Sequence, residues 1–239
     1  MNIENYYTLQ DGALNVSREQ ASAFAKFVAG DFNPIHDIDA KKFCVPGDLL
    51  FAVSVAHFGV SQHMRFDFES MVNEKTMITM PARTVRQAGL IDQNEKSIMS
   101  IDCSGENTTD KAFVSNLIEK YVQFSGKTFP DILMDLMKRK DVMINPARPL
   151  IIYRNMAVHI DAFPSGDLTL EFAGASLAAE GKKGSVQLEF DLHVDGKQIG
   201  HGTKSMVIAG LRPYDAAAAD KIVADYNQTK AAGLAASQS

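Results

Sequence analysis

Cysteine is scarce in this chain: Cys44 and Cys103 are the only two, and no Cys-x-x-Cys pair occurs. That scarcity argues against a disulfide framework and against a cysteine-based structural zinc site, and it fits a reducing cytoplasm. Positive charge is also short. Lys and Arg number 24 against 29 Asp and Glu, a formal net charge of -5 with no basic stripe, so nucleic acid is not expected as a partner. Long apolar runs are missing as well. The most apolar stretch, residues 49 to 60, contains Ser54 and His57 and is too short to span a bilayer. The opening residues Met1-Asn2-Ile3-Glu4-Asn5 have neither a basic nor an apolar signal region, so neither export nor a membrane partner is expected. No metal-ligand spacing and no cofactor motif stands out, and the expectation is a chain with neither.

What is present suffices for a sizeable core, with 46% apolar residues in 239. A short strand is expected at residues 5 to 9, before an Asp11-Gly12 turn. Ser17 with Gln20 three residues on opens a helix whose apolar face is Ala21, Phe24, Ala25 and Val28, and Gly30 closes it. Residues 48 to 63 are apolar on nearly every side, which predicts a buried helix carrying His57 and His63. Residues 76 to 86 and 95 to 105 have strand character, with Cys103 a small core residue. Residues 111 to 124 and 130 to 140 read as two helices split at Ser125-Gly126.

The C-terminal half is the clearest β region. Residues 156 to 160 and 168 to 172 flank a turn, and Val186, Leu188, Phe190, Leu192 and Val194 alternate with polar neighbours. Asp195-Gly196 signals a two-residue hairpin that pairs Val194 with Lys197. Continued without interruption, that register sets Ile199 opposite Leu192 and His201 opposite Phe190, facing inward. His201 is then either a histidine at the core's edge or part of a pocket lining, and His193 faces solvent. Residues 215 to 232 form a peripheral helix by propensity, with a frayed tail from Gly233.

The chemistry concentrates in Gly30-Asp31-Phe32-Asn33-Pro34-Ile35-His36. Pro34 fixes its own φ and pushes Asn33 out of the helical region, so a carboxylate, an amide and an imidazole sit on one stiff bend. Asp31 and His36 can address one water, the outline of a general acid/base pair. The same residues also suit a helix C-cap followed by an Asx turn. A carboxylate at a helix C-terminus is protonated more readily than usual.

This seven-residue stretch resembles the signature of the MaoC-like (R)-specific enoyl-CoA hydratases of the hot-dog superfamily. The resemblance implies an α+β hot-dog fold, an antiparallel sheet wrapped around a long central helix. Residues 1 to 214 would form that domain, as one elaborated unit or as two fused degenerate units of about 1 to 110 and 111 to 214. Residues 215 to 239 would be the peripheral helix and tail. No internal repeat is visible. The resemblance further implies that Asp31 and His36 hold the water that adds to a trans-2-enoyl thioester, that Asn33 supports them, and that a backbone N–H near Gly47 receives the thioester oxygen. The ligand would be an acyl-CoA or acyl-carrier thioester and the assembly a homodimer. Where the family has His-Gly opening the central helix, this chain has Pro46-Gly47. Asp48 follows, and a carboxylate there is expected to oppose a developing oxyanion. Asp48 also admits a thioesterase reading, and a non-catalytic acyl or coenzyme A binder on the same scaffold is the other alternative.

Overall fold

A computed structural model describes residues 1–81 and 87–236. After a 3-10 turn at Ile3–Tyr6, β1 (Thr8–Gln10) and β2 (Ala13–Asn15) form a hairpin about Asp11 and Gly12, both at positive φ. The helix α1 (Arg18–Ala23) starts on the expected capping box, Ser17 and Gln20 each satisfying the other's backbone N–H. It continues through a π-helical stretch, Phe24–Ala29, and stops at Gly30 in the left-handed region.

The buried helix α2 (Gly47–Phe58) is shorter than the 48 to 63 expected. Gly59 ends it at φ +81, where a Cβ would come within 2.5 Å of the Thr108 carbonyl, and the chain leaves directly into β3 (Val60–Phe68). Met64 and Phe66 point into the core while His63 and Arg65 point out, so the apolar run hides a change of period from helix to strand. Next come β4 (Gln87–Ile91) and β5 (Ser97–Thr108). Of the strand expected at 76 to 86, residues 82 to 86 lie outside the described residues, and Ile78 and Thr79 make only isolated bridges.

A second helix, α3 (Lys111–Gly126), runs through Ser125-Gly126 and packs against α2. The break comes later, at a π-helical Thr128–Ile132 containing a cis Phe129–Pro130 bond, before α4 (Leu133–Arg139). Then follow β6 (Val142–Met143), β7 (Ile151–Ile160), β8 (Leu168–Glu180), β9 (Lys183–Val194), β10 (Lys197–Ala209), β11 (Arg212–Pro213) and α5 (Ala216–Ala236).

Seven strands make one antiparallel sheet in the order β4-β5-β3-β7-β10-β9-β8, with β6 and β11 paired apart. Its inner face supplies Met64, Phe66, Met99, Ile101, Met156, Val158, Phe190 and Leu192 to a core built on α2 and α3, while Leu188 joins a second cluster with Leu133, Leu136 and Met137 of α4. Phe51 of α2 meets Phe66 edge-on, and Tyr121 of α3 lies against Phe51 and Phe190. An antiparallel sheet curled over buried helices is the α+β hot-dog arrangement.

Two positions in the sheet correct the sequence expectation. Lys197 pairs with Val194 as the hairpin signal requires, but a bulge between Gln198 and Gly200 inserts one residue into β10. Gly200 therefore sits opposite Leu192 and His201 opposite Asp191, and every later side chain changes face. His201 is exposed on the outer face, not in the core. His193, expected in solvent, is half-buried, and its enclosed Nδ1 lies 3.9 Å from Glu171 Oε1, with no hydrogen-bond partner among the described residues.

Candidate functional site

The bend from Gly30 to His36 is assembled from local bonds. Asp31 N donates to Ala25 O at 2.8 Å, the carbonyl that also accepts from Gly30 N, so the two bonds close the helix end. Asn33 N donates to Asp31 Oδ1 at 2.9 Å, and Asn33 Oδ1 accepts from Ile35 N at 3.2 Å. The second bond caps a 3-10 turn, Pro34–His36, with Pro34 in its first position. Asn33 thus holds the carboxylate with its backbone and the turn bearing His36 with its side chain. Gly126 lets α3 close on this bend, since a Cβ there would collide with the Ala29 carbonyl.

His36 is buried, and its Nδ1 lies 2.7 Å from the Cys44 carbonyl. A carbonyl only accepts, so Nδ1 carries a proton. In the neutral ring Nε2 then presents a lone pair, and it lies 3.8 Å from Asp31 Oδ2. That gap is too long for a direct hydrogen bond, and it leaves both atoms free to address one water at the cavity wall. Asp31 keeps 19% of its side chain open. Burial raises its pKa, opposed by His36 and by the Asn33 N–H; Asp48 pushes it up and Lys204 down. The upward direction matches the helix-end expectation, with desolvation as the dominant cause.

Both side chains face a cavity of about 540 Å³. Asn33 and Gly47 line it too, with Ser125 and Tyr153 at the same polar end. Gly47 opens α2, where the first N–H groups have no partner within the helix. A Cβ on Gly47 would stand 2.9 Å from the Tyr153 ring, so glycine lets that ring close over the helix start. Farther in, Leu133, Ile144, Ile151, Met206 and Ile222 give an apolar wall. Cys44 also lines the cavity, its thiol pushed up to about 11 by burial and hence protonated at neutral pH.

Beneath this end lies a polar cluster that sequence reasoning saw only in part. Asp48, expected at the ligand, does not line the cavity; it is 3% exposed and turned into the protein. Its Oδ2 accepts from Ser125 Oγ at 2.5 Å and from Tyr153 OH at 3.4 Å, and Lys204 Nζ lies 3.4 Å from Oδ1. Lys204 also contacts Ser125 Oγ and sits over the Tyr153 ring, 3.5 Å from its centroid. Burial lowers the Lys204 pKa against the pull of Asp48, and burial raises those of Tyr121 and Tyr153 well above the usual tyrosine range. With an ammonium beside it, Asp48 no longer acts as the isolated negative charge that was expected to oppose an oxyanion. The signal for Lys204 was available: it follows Gly202 by two and precedes Met206 by two, an alternation that sets it inward.

The C-terminal helix is a wall of the site. Ile222, Asp225, Tyr226 and Thr229 of α5 line the cavity, and Tyr226 OH accepts from Phe32 N at 3.1 Å. Burial pushes the Tyr226 phenol up to about 12, so this hydroxyl stays neutral. Gly233, expected to begin a frayed tail, is still helical, and a Cβ there would stand 2.5 Å from the Phe32 ring. His201 lies away from all of these groups, on the outer face of the sheet.

Among the described residues, no helix is long and apolar enough to cross a membrane. No curated protein matches the chain in sequence. Among solved structures, a MaoC-like dehydratase is 12% identical, with 85% of this chain and 99% of that one covered at a TM-score of 0.44. A conserved protein of unknown function with hot dog fold from Alicyclobacillus acidocaldarius is 9% identical over 89% and 98%, at 0.49. An acyl-CoA thioesterase II, TesB2, from Mycobacterium marinum is 10% identical over 90% and 99%, at 0.44. At such values the fold assignment rests on the strand order and buried helices described above. Residues 1–217 match the model of the family described as "Protein of unknown function (DUF3581)", and the chain belongs to that family.

Proposed function

We propose that this protein hydrates, or in reverse dehydrates, an acyl thioester of the trans-2-enoyl type, as the MaoC-like resemblance of the Gly30–His36 bend implies. The observation that carries the reading is the pairing of the His36 Nδ1–Cys44 carbonyl bond with the 3.8 Å gap between Nε2 and Asp31 at a cavity wall. Nε2 takes a proton from the bridging water as its oxygen adds to the β-carbon. Asp31, whose raised pKa favours the carboxylic acid, gives a proton to the α-carbon. His36 then returns its proton to Asp31 through solvent, and atoms and charge balance. This assignment makes the imidazole the base and the carboxyl the acid. The enolate oxygen developing between these events is placed at the opening N–H groups of α2, near Gly47. The apolar wall receives the acyl chain, and a homodimer is the assembly that the resemblance implies.

Two assays on the intact chain separate this reading from its alternatives. With crotonyl-CoA the enoyl absorbance falls if hydration occurs. A saturated acyl-CoA releases thiol only if the protein is a thioesterase, and binding of both without turnover marks a carrier. The expected outcome is loss of enoyl absorbance without thiol release.

A further inference from the structure

The outer face of the sheet carries a second set of reactive groups that shares no lining residue with the Asp31 cavity. His63 on β3, His159 on β7 and His201 on β10 occupy directly opposite positions on three adjacent strands. Their rings form a row, with centroids 4.4 Å apart for His63 and His159 and 5.0 Å apart for His159 and His201. Three of the chain's six histidines thus stand side by side on one exposed face.

The middle ring is oriented at both nitrogens. His159 Nε2 lies 2.9 Å from Asp161 Oδ1, and a carboxylate in this setting accepts, so Nε2 holds a proton. In the neutral ring Nδ1 is therefore a lone pair, and it lies 2.7 Å from His63 Nδ1. A neutral His63 satisfies that lone pair by donating its own Nδ1–H, and a metal ion can take the place of that proton between the two nitrogens. A carboxylate on the far nitrogen of a histidine is also the arrangement that orients metal-ligating imidazoles and raises their basicity.

We infer that His63 and His159 form a surface site for a divalent transition metal of the zinc, nickel or copper class, oriented by Asp161 and flanked by His201. Imidazole suits these ions. Metal–nitrogen bonds of about 2.0–2.1 Å at a tetrahedral angle place the two nitrogens roughly 3.3 Å apart. Exposed side chains reach that spacing from 2.7 Å by a small rotation, and the His63 Nδ1 proton moves to Nε2 of the same ring as the metal enters. Among the described residues no three metal-binding side chains stand around one point. The ion is accordingly held by two protein nitrogens with open positions, which water or an external ligand fills. His201, stacked on the opposite side of His159, restricts that ring's rotation.

The test is isothermal titration of the intact, chelator-stripped protein with zinc chloride and with nickel chloride at pH 7.5. One saturable equivalent per chain is expected. His159→Ala and His63→Ala should each abolish it, and Asp161→Asn should weaken it by roughly 10- to 100-fold, as loss of an orienting carboxylate does. His193→Ala, on β9 outside the pair, should leave it unchanged. Circular dichroism of each variant separates loss of the site from loss of the fold. No saturable binding by the parent chain, or undiminished binding by folded His159→Ala, overturns the inference.

Discussion

Asp31 is the residue at which folding and the proposed chemistry conflict. Its folded pKa is raised, so the native state holds this proton more tightly than the unfolded chain does. Stability therefore falls as pH rises from the ordinary value of 3.8 through the folded value, and the deficit persists above it. Asp31→Asn keeps an acceptor for the Asn33 N–H and removes the titration. Its melting temperature should exceed the parent's at pH 7, with the gain shrinking as the pH approaches 4 in a thermal-melt series. Lys204 poses the opposite case, because a buried ammonium is tolerated only with its partners. Lys204→Ala leaves Asp48 uncompensated and should cost about 3–5 kcal/mol in urea unfolding. Replacing both, as Lys204→Met with Asp48→Leu, should recover most of that loss. Equal damage from the single and double changes would show that the pair is not the source.

At the scale of elements, the sequence was most legible where local chemistry decides the outcome. The Ser17 box, the Gly30 stop, the Asp195-Gly196 hairpin and the alternation along β9 all appear as expected. It was least legible where one residue changes the period. Gly59 turns an apolar helix into an apolar strand, and pattern alone reads the two alike. The bulge at Ile199 moves His201 to the other face and Lys204 inward, and a register counted from the hairpin overrides the cues that Gly200 and the Lys204–Met206 alternation offer. The role of α5 was hidden because its anchor, the bond between Phe32 N and Tyr226 OH, joins residues 194 positions apart. Tyr226→Phe strands that buried N–H and should cost about 1–3 kcal/mol, read as a lower urea midpoint. An unchanged midpoint would mean that α5 docks through its apolar contacts alone.

Over the whole molecule, a helix followed by strands occurs twice. The first pass is α2 with β3 to β5, the second α3 with β7 to β10, and β3 and β7 pair antiparallel where the two meet. We propose that these passes are the two fused hot-dog units, bounded near residue 110. No sequence repeat reveals them, because the α2–α3 contact asks only for apolar residues of fitting size. The bend from Gly30 to His36 belongs to the first pass, while Ser125 and Tyr153 of the cavity wall, with Lys204 beneath them, come from the second. The cavity is thus completed by groups that a reading confined to the motif leaves out. In the proposed reaction its polar end and its apolar wall act together only if Asp31 and His36 share a water. The most direct measurement is the initial rate of crotonyl-CoA hydration by the parent chain, Asp31→Asn and His36→Ala, each verified as folded. A measurable parent rate that falls by at least about 100-fold in each variant is the predicted result, the scale of a lost general acid or base. A parent rate retained by either variant would contradict the account.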